Sequence, residues 1–322
     1  MPQIVLLDDY AIEEGDLDWS PLAELGAVTR YGRTAYGEIV PRIGTAEYVI
    51  ANRARIDDAV LDACPALRWV GLTATGTDSL DVAACARHGV AVANVPAYST
   101  ASVAQMTFAL LLELCQCPGR CDGAVRRGYW QKGSPAAWGL FPQRELAGKS
   151  LGVVGYGDIG RRVAAIARGF GLKVLVHTRT VRPDYAGDGV SFVSLEELLR
   201  RSDVITLHCP ATAETAGLLD AAALAQCRRG VLVVNTARGA LVDEAAMAAA
   251  LESGQVGGFA ADVLAKEPPV PTDNPLFCAP NTVLTPHLAW ATPEALGRLA
   301  REVCRNLAAF MAGTPRNIVN GC

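Results

Sequence analysis

The stretch SLGVVGYGDIGRRVAAIA, which begins at Ser150, constrains the fold more than any other part of the chain. An apolar run passes straight into Gly155-Tyr156-Gly157-Asp158-Ile159-Gly160 and then into a helical pattern. Glycines at this spacing allow a tight turn and a close approach of backbone, and the helix N-terminus then offers unpaired N–H groups to a pyrophosphate. A bare G-x-G-x-x-G is a weak signal, since a strand–helix turn with no ligand can carry the same glycines. Here a second β-rich run, KVLVHT, follows the helix at the distance a βαβ unit requires. That context favours a dinucleotide site, with all six residues as candidate cofactor-binding positions.

The fingerprint falls in mid-chain, with a complete α/β series ahead of it. QIVLLDD, EYVIANR, LRWVGLTA and VAVANVP form that first series, separated by alanine-rich helical stretches. A second series contains SLGVVGYG, KVLVHT, VSFV, DVITLHC, GVLVVNTA, FAADV and NTVLTPH. Short β-rich runs alternating with helices predict parallel sheets built from βαβ units. A chain of 322 residues exceeds one ordinary core. The order therefore predicts an α/β protein of two Rossmann-like domains. A dinucleotide-binding domain, 99–289, is inserted in a discontinuous substrate-binding domain, 1–98 and 290–322. The amphipathic tail PEALGRLAREVCRNLAAFMAG is expected to return to that first domain.

Three strand ends after the fingerprint carry polar residues. Arg238 follows VLVVN, Asp262 and Glu267 follow FAA, and His287 follows NTVL. Ligands of open parallel sheets bind beyond the carboxyl ends of the strands, so the three can converge on one crevice. Arginine is a permanent cation whose planar fork suits a carboxylate. A glutamate beside a histidine orients the ring and raises its pKa, as a general acid for a carbonyl requires. Taken singly, a salt bridge, a solvated loop and a capping histidine would explain them equally well. Of the four histidines, His88 lies at a polar helix end, and His177 and His208 close apolar runs. Only His287 has neighbours that suggest chemistry.

These motifs together resemble the D-isomer-specific 2-hydroxyacid dehydrogenases over essentially the whole chain. The resemblance rests on GYGDIG, LHCP at 207–210, NTARG at 235–239, EPP at 267–269 and TPHLAW, in that order. NVPAYSTASVAQMTFALLLEL at 94–114 is most similar to the glycerate dehydrogenase (hydroxypyruvate reductase) branch. The resemblance implies that Arg238 grips a 2-oxoacid such as hydroxypyruvate or glyoxylate, and that Glu267 with His287 forms an acid–base dyad. It implies that backbone N–H groups at Ala74, Thr75 and Gly76 hold the substrate carboxylate. It also implies cofactor contacts at Thr107, Cys209, Pro210, Thr215, Thr236, Ala237, Asp262 and Ala289, which leaves His208 a spectator. Trp290 is either a pocket wall or a hinge-packing residue. Gln105 departs from the glutamate of many relatives, and the loop at 133–142 is shorter than in that branch.

Rivals remain within and outside the family. A phosphoglycerate enzyme is disfavoured because no further domain follows Cys322, and a formate dehydrogenase because that branch pairs its histidine with glutamine. A nucleotide-sensing corepressor on the same fold would retain Arg238, Glu267 and His287.

Cofactor choice is read after KVLVH. NAD sites place an acid about 20 residues beyond the fingerprint, on the ribose hydroxyls. Here Thr178 and Arg179 stand there, with Arg182 nearby and no acid before Asp184. A hydroxyl and a guanidinium donate to a 2′-phosphate, so NADP(H) is favoured over NAD(H). The net charge of −4 argues against nucleic acid. No apolar run reaches the roughly 18 residues of a membrane helix, and MPQIVLLDDY does not read as a signal peptide. The ten cysteines include CQCPGRC, which lacks zinc-site spacing, so free thiols in a reducing cytoplasm and no metal are expected. The apolar helix at about 101–116 must be buried in a core or an interface, and relatives dimerise through it, so a homodimer is expected.

Overall fold

Strands of a parallel sheet are covered on both faces and therefore read as continuous apolar runs. YVIA (Tyr48–Ala51), VITL (Val204–Leu207) and VLVVN (Val231–Asn235) are buried at every position. A computed structural model describes residues 1–9, 17–77, 79–131, 141, 143–182, 185, 189–267 and 269–321. The chain divides into two compact units, Met1–Ser99 with Trp290–Cys322, and Thr100–Ala289. The expected loop at 133–142, apart from Phe141, lies outside the described residues, as do Asp184 and Pro268.

The first unit holds a five-stranded parallel sheet in the order β2-β1-β3-β4-β5. Its strands are β1 Gln3–Leu6, β2 Ala27–Arg30, β3 Tyr48–Ala51, β4 Trp69–Leu72 and β5 Ala91–Ala93. The edge strand β2 is absent from the sequence reading, because none of its four residues is buried and AVTR has no apolar run to betray it. The last long helix, Pro293–Met311, packs Leu299, Val303 and Leu307 against Ile4, Leu6 and Trp69. Trp290 joins the edge of this cluster, so its side chain serves packing.

The second unit holds a seven-stranded parallel sheet in the order β12-β11-β10-β9-β6-β7-β8. Its strands are β6 Ser150–Val154, β7 Lys173–His177, β8 Ser191–Phe192, β9 Val204–Leu207, β10 Val231–Asn235, β11 Val256–Ala261 and β12 Thr282–Leu284. From β6 the chain first builds outward to β8 and then returns to β9 on the other side. The crevice between the carboxyl ends of β6 and β9 is thus the topological switch point, where such sheets bind ligands.

The helix Thr100–Gln116 packs Phe108, Leu111 and Cys115 into the core beneath this sheet. Its apolar character is thus satisfied within its own unit, leaving Ala101, Gln105, Ala109 and Gln116 exposed. Among the described residues no single helix is long and apolar enough to cross a membrane.

Candidate active site and cofactor turn

The three glycines of the turn after β6 have different reasons to be glycine. Gly155 has φ +92°, and a Cβ there would lie 2.5 Å from the His208 carbonyl oxygen. A Cβ at Gly160 would lie 2.1 Å from the Gly155 oxygen. The chain itself therefore demands those two. Gly157 has φ −80° and no neighbour within 4 Å of a built Cβ. Nothing in the protein needs a glycine there.

Gly157 is the N-cap of the helix Asp158–Gly169 and offers no side-chain cap. Elsewhere Asp57, Asp81, Ser194, Asp220, Asp243 and Thr292 each cap their helix by accepting a backbone N–H. The open N–H groups and open space at Gly157 fit the pyrophosphate of a dinucleotide. The Tyr156 side chain is buried edge-on against Tyr185 and Phe192, so it faces the core while its backbone lines the turn. Asp158 is exposed at the helix start, and Ile159 packs toward the core of this unit.

The remaining expected cofactor residues mostly spend their side chains on the protein. Thr107 and Thr236 share a buried hydroxyl contact of 2.9 Å. The Thr215 hydroxyl donates to Pro210 O at 2.7 Å and shapes the 210–215 loop. Burial raises the Cys209 thiol pKa, which leaves it unreactive. Thr178 is half-buried, while Arg179 and Arg182 are exposed beyond β7.

The catalytic candidates lie on three adjacent strand ends. Asn235, fully buried at the end of β10, shapes the first turn. Its amide donates to Arg238 O at 2.9 Å and its oxygen accepts from Ala237 N at 3.0 Å. Arg238 itself donates to Ala237 O at 2.8 Å. After β11, Asp262 is 1% exposed. Its oxygens accept from Thr285 Oγ1 at 2.5 Å, Leu288 N at 2.9 Å and Ala289 N at 2.7 Å. The Ala289 carbonyl in turn accepts from Ser102 Oγ. Asp262, expected at the cofactor, therefore has its carboxylate committed to the loop after β12.

That loop holds His287 at φ +55°, a left-handed backbone that costs a non-glycine residue on the order of 1–3 kcal/mol. The bonds from Asp262 to the two following N–H groups offset this strain. His287 Nδ1 meets Glu267 Oε2 at 2.6 Å, and its side chain is 44% exposed. The other Glu267 oxygen accepts from Leu264 N. Burial pushes the Glu267 carboxyl up. The bonds from His287 and Leu264, with the charges of His287 and Arg238, outweigh it and bring the pKa below its ordinary value.

The charges of Arg238 and His287 thus both favour the ionised Glu267 carboxylate. The other histidines do not compete. His88 sits beside Asp58, 3.3 Å away, and His177 Nδ1 lies 3.3 Å from Val193 O. Both ring nitrogens of His208 are buried without a partner. Burial pushes its pKa down to about 3, so it is neutral near pH 7 and cannot supply a proton.

Residues that sequence reasoning missed position the Glu267 loop. Glu244 accepts from Ala265 N at 2.7 Å through one oxygen and from the Asn274 amide at 2.9 Å through the other. Gly239, next to Arg238, makes room for the same loop, since a Cβ there would lie 1.9 Å from the Leu264 carbonyl carbon. The only advance signal was an acid just after the strand-end turn, which reads equally as a helix-start residue.

In the first unit, Ala74, Thr75 and Gly76 follow β4. The Thr75 hydroxyl donates to Val95 O at 2.7 Å and the Ala74 carbonyl accepts from Val95 N at 2.9 Å. Among the described residues their three backbone N–H groups donate to no protein acceptor.

The sequence pattern described as "D-isomer specific 2-hydroxyacid dehydrogenase, NAD binding domain" matches residues 108–289. The chain is 40% identical over 321 residues to a hydroxypyruvate reductase of Blautia hydrogenotrophica, covering 99% of each chain. The chain belongs to the D-isomer-specific 2-hydroxyacid dehydrogenase family. It is an oxidoreductase acting on a CH–OH group, in the glycerate/hydroxypyruvate branch. This dehydrogenase is also 39% identical over 285 residues to a glycerate dehydrogenase of Methylorubrum extorquens, covering 88% of each. Its structure is similar to that of an NADPH-dependent glyoxylate/hydroxypyruvate reductase from Sinorhizobium meliloti, with a TM-score of 0.86 and 27% identity. That alignment covers 99% of this dehydrogenase and 98% of the other chain.

Proposed function

We propose that this dehydrogenase reduces hydroxypyruvate to its D-2-hydroxy acid, or glyoxylate to the achiral glycolate, with NADPH preferred to NADH. The observation that carries the reading is the 2.6 Å His287–Glu267 pair with the Arg238 charge beside it. Bound dihydronicotinamide supplies a hydride to the carbonyl carbon. His287 gives its Nε2 proton to the carbonyl oxygen, so the imidazolium becomes neutral imidazole as the alcohol forms. Glu267 stabilises the charged ring before transfer and fixes it through Nδ1. Arg238 orients the oxoacid through its fork and draws charge toward the carbonyl oxygen. The open N–H groups of Ala74, Thr75 and Gly76 take the carboxylate. Asp262 acts by holding the His287 backbone.

Three finer points belong to the same reading. Arg179, with no ion pair among the described residues, and Thr178 are offered to a 2′-phosphate. The protein works as a homodimer, through the exposed Ala101–Gln105–Ala109 seam of the helix Thr100–Gln116. The free cysteines fit a reducing cytoplasm.

The test is NAD(P)H absorbance with hydroxypyruvate, glyoxylate and pyruvate, each with NADPH and NADH, for the parent and Arg179→Ala. The reading requires turnover of a two- or three-carbon oxoacid and a higher kcat/KM with NADPH that Arg179→Ala erodes. Equal use of NADH by the parent would refute the cofactor assignment. Cofactor binding without turnover of any 2-oxoacid would leave a nucleotide-sensing role instead.

A further inference from the structure

The amino ends of β6, β9 and β10 frame a cleft of about 310 Å³ at the end of the second sheet away from the cofactor turn. Its walls carry four cations, Arg144, Lys149, Arg228 and Arg229, and one acid, Asp203. The acid is fully used. Asp203 accepts from Ser150 N at 2.8 Å through one oxygen and pairs with Arg228 at 2.9 Å through the other. Arg144, Lys149 and Arg229 form no ion pair among the described residues.

That imbalance is unusual for this chain, which has 33 acids to 29 Lys and Arg. Its other surface arginines commonly find an acid one helical turn away, as Arg126, Arg200 and Arg201 do. Gathering like charges around one cleft costs self-repulsion that a bound anion would relieve.

The arginines are held ready. Arg144 donates to Gly230 O at 2.8 Å, and Arg229 to Ser253 O at 2.8 Å. Each has further N–H donors to offer. A Cβ at Gly257 would stand 2.8 Å from the Arg144 guanidinium, so the glycine lets that side chain lie flat on the backbone.

We propose that this cleft is a second ligand site, for a small multiply charged oxyanion of the phosphate type. Its volume is at the small end of ligand pockets, which run from roughly 300 to 1,000 Å³, so an inorganic or short organic phosphate suits it. Guanidinium forks match phosphate oxygens two at a time.

The test is calorimetric titration of inorganic phosphate into the full chain saturated with NADPH, so that the turn at Gly157 does not compete, at constant ionic strength. The proposal requires one saturable site in the parent, bound roughly tenfold or more weakly by a Lys149→Gln/Arg229→Gln double variant. Arg229→Lys keeps the charge but loses the fork, so it should bind more weakly than the parent and more tightly than Arg229→Gln. Arg229→Gln alone, at an exposed position, gives the answer if the double variant lacks a cooperative melting transition. Heats that never saturate, or equal binding by the parent and the glutamine variants, would overturn it. Binding by organic phosphates but not by inorganic phosphate would overturn the inorganic source and keep the site.

Discussion

The two units answer the same topological situation in opposite ways. In each sheet the first strand lies at the switch point, β1 between β2 and β3, and β6 between β7 and β9. In the first unit the residue after that strand region is a buried acid. Asp8 Oδ2 accepts from the N–H groups of Asn52, Arg53 and Ala54, at 3.1, 2.8 and 2.8 Å, in the turn after β3. Asp9 beside it pairs with Arg30 at 2.5 Å. The crevice thus contains its own anion. In the second unit the corresponding turn is Gly155-Tyr156-Gly157, and its helix start has no side-chain cap. One crevice is closed by a carboxylate and serves stability. The other is left for an anion that the chain does not supply. The two switch points are therefore told apart by whether the N–H groups beside them already have a partner, and the open N–H groups of the first unit lie farther along its sheet, after β4.

Substitutions in the two crevices should then fail differently. The largest effect is expected in the second unit, at the end of β12 beyond its switch point. His287→Ala should lower kcat by roughly 10²–10⁴, about 3–5 kcal/mol in the barrier, while NADPH Kd stays within about twofold. An unchanged kcat would remove His287 from the mechanism. Next comes Asp8→Ala in the closed crevice, which strands three backbone N–H groups. Only the Ala54 bond is fully buried, so at about 1–3 kcal/mol for a buried group left unmade stability should fall by about 1–3 kcal/mol, read from denaturant unfolding. NADPH affinity of the folded protein should not change. A loss of affinity with no loss of stability would show that the first crevice also binds ligand.

A smaller effect is expected at Glu267. Its carboxyl lies below its ordinary value because its partners outweigh burial. The pair's contribution to stability is therefore present above the unfolded carboxylate pKa and is lost as pH falls through the depressed folded value. The 44% exposure of the histidine side chain keeps that contribution small. The catalytic consequence is more visible. Glu267→Gln removes the carboxylate that His287 Nδ1 meets, so kcat should fall by roughly tenfold or more while NADPH Kd stays within about twofold. An unchanged kcat would mean that the 2.6 Å contact does not support the proton donor.

What the sequence disclosed and what it hid divide along the same physical line. Apolar runs such as VLVVN and VITL, the GYGDIG turn and the residues just beyond strands are local patterns, and parallel-sheet topology places them together. The placement of Arg238, Glu267 and His287 beyond three adjacent strand ends was legible on that basis. Bonds from a side chain to distant backbone leave no periodic trace. Asp8 reaches 46 residues to Ala54, Glu244 reaches 21 to Ala265, and Asp262 reaches 27 to Ala289. The oxygens of Asp262, a residue proposed at the cofactor, hold the loop that carries the histidine. The helix Thr100–Gln116 shows the same limit, because its composition alone could not tell a core from a subunit interface, and its apolar side chains lie in the core of its own unit. The strand Ala27–Arg30 was illegible because an exposed edge needs no apolar run.

The most direct test of the open crevice is the NADPH dependence of thermal unfolding for the parent and Gly157→Ala. Among the described residues, its chain neighbours apart, nothing lies within 4 Å of a Cβ at that position. Without ligand, the two should therefore agree within about 1 kcal/mol, the poorer cap being offset by lost unfolded-state entropy. The parent should gain stability with NADPH concentration by mass action. Gly157→Ala should need roughly tenfold or more NADPH for the same gain, because its methyl group occupies the space assigned to the pyrophosphate. A variant that melts lower without ligand yet responds to NADPH as the parent does would contradict the account. It would make Gly157 a structural glycine and place the cofactor elsewhere.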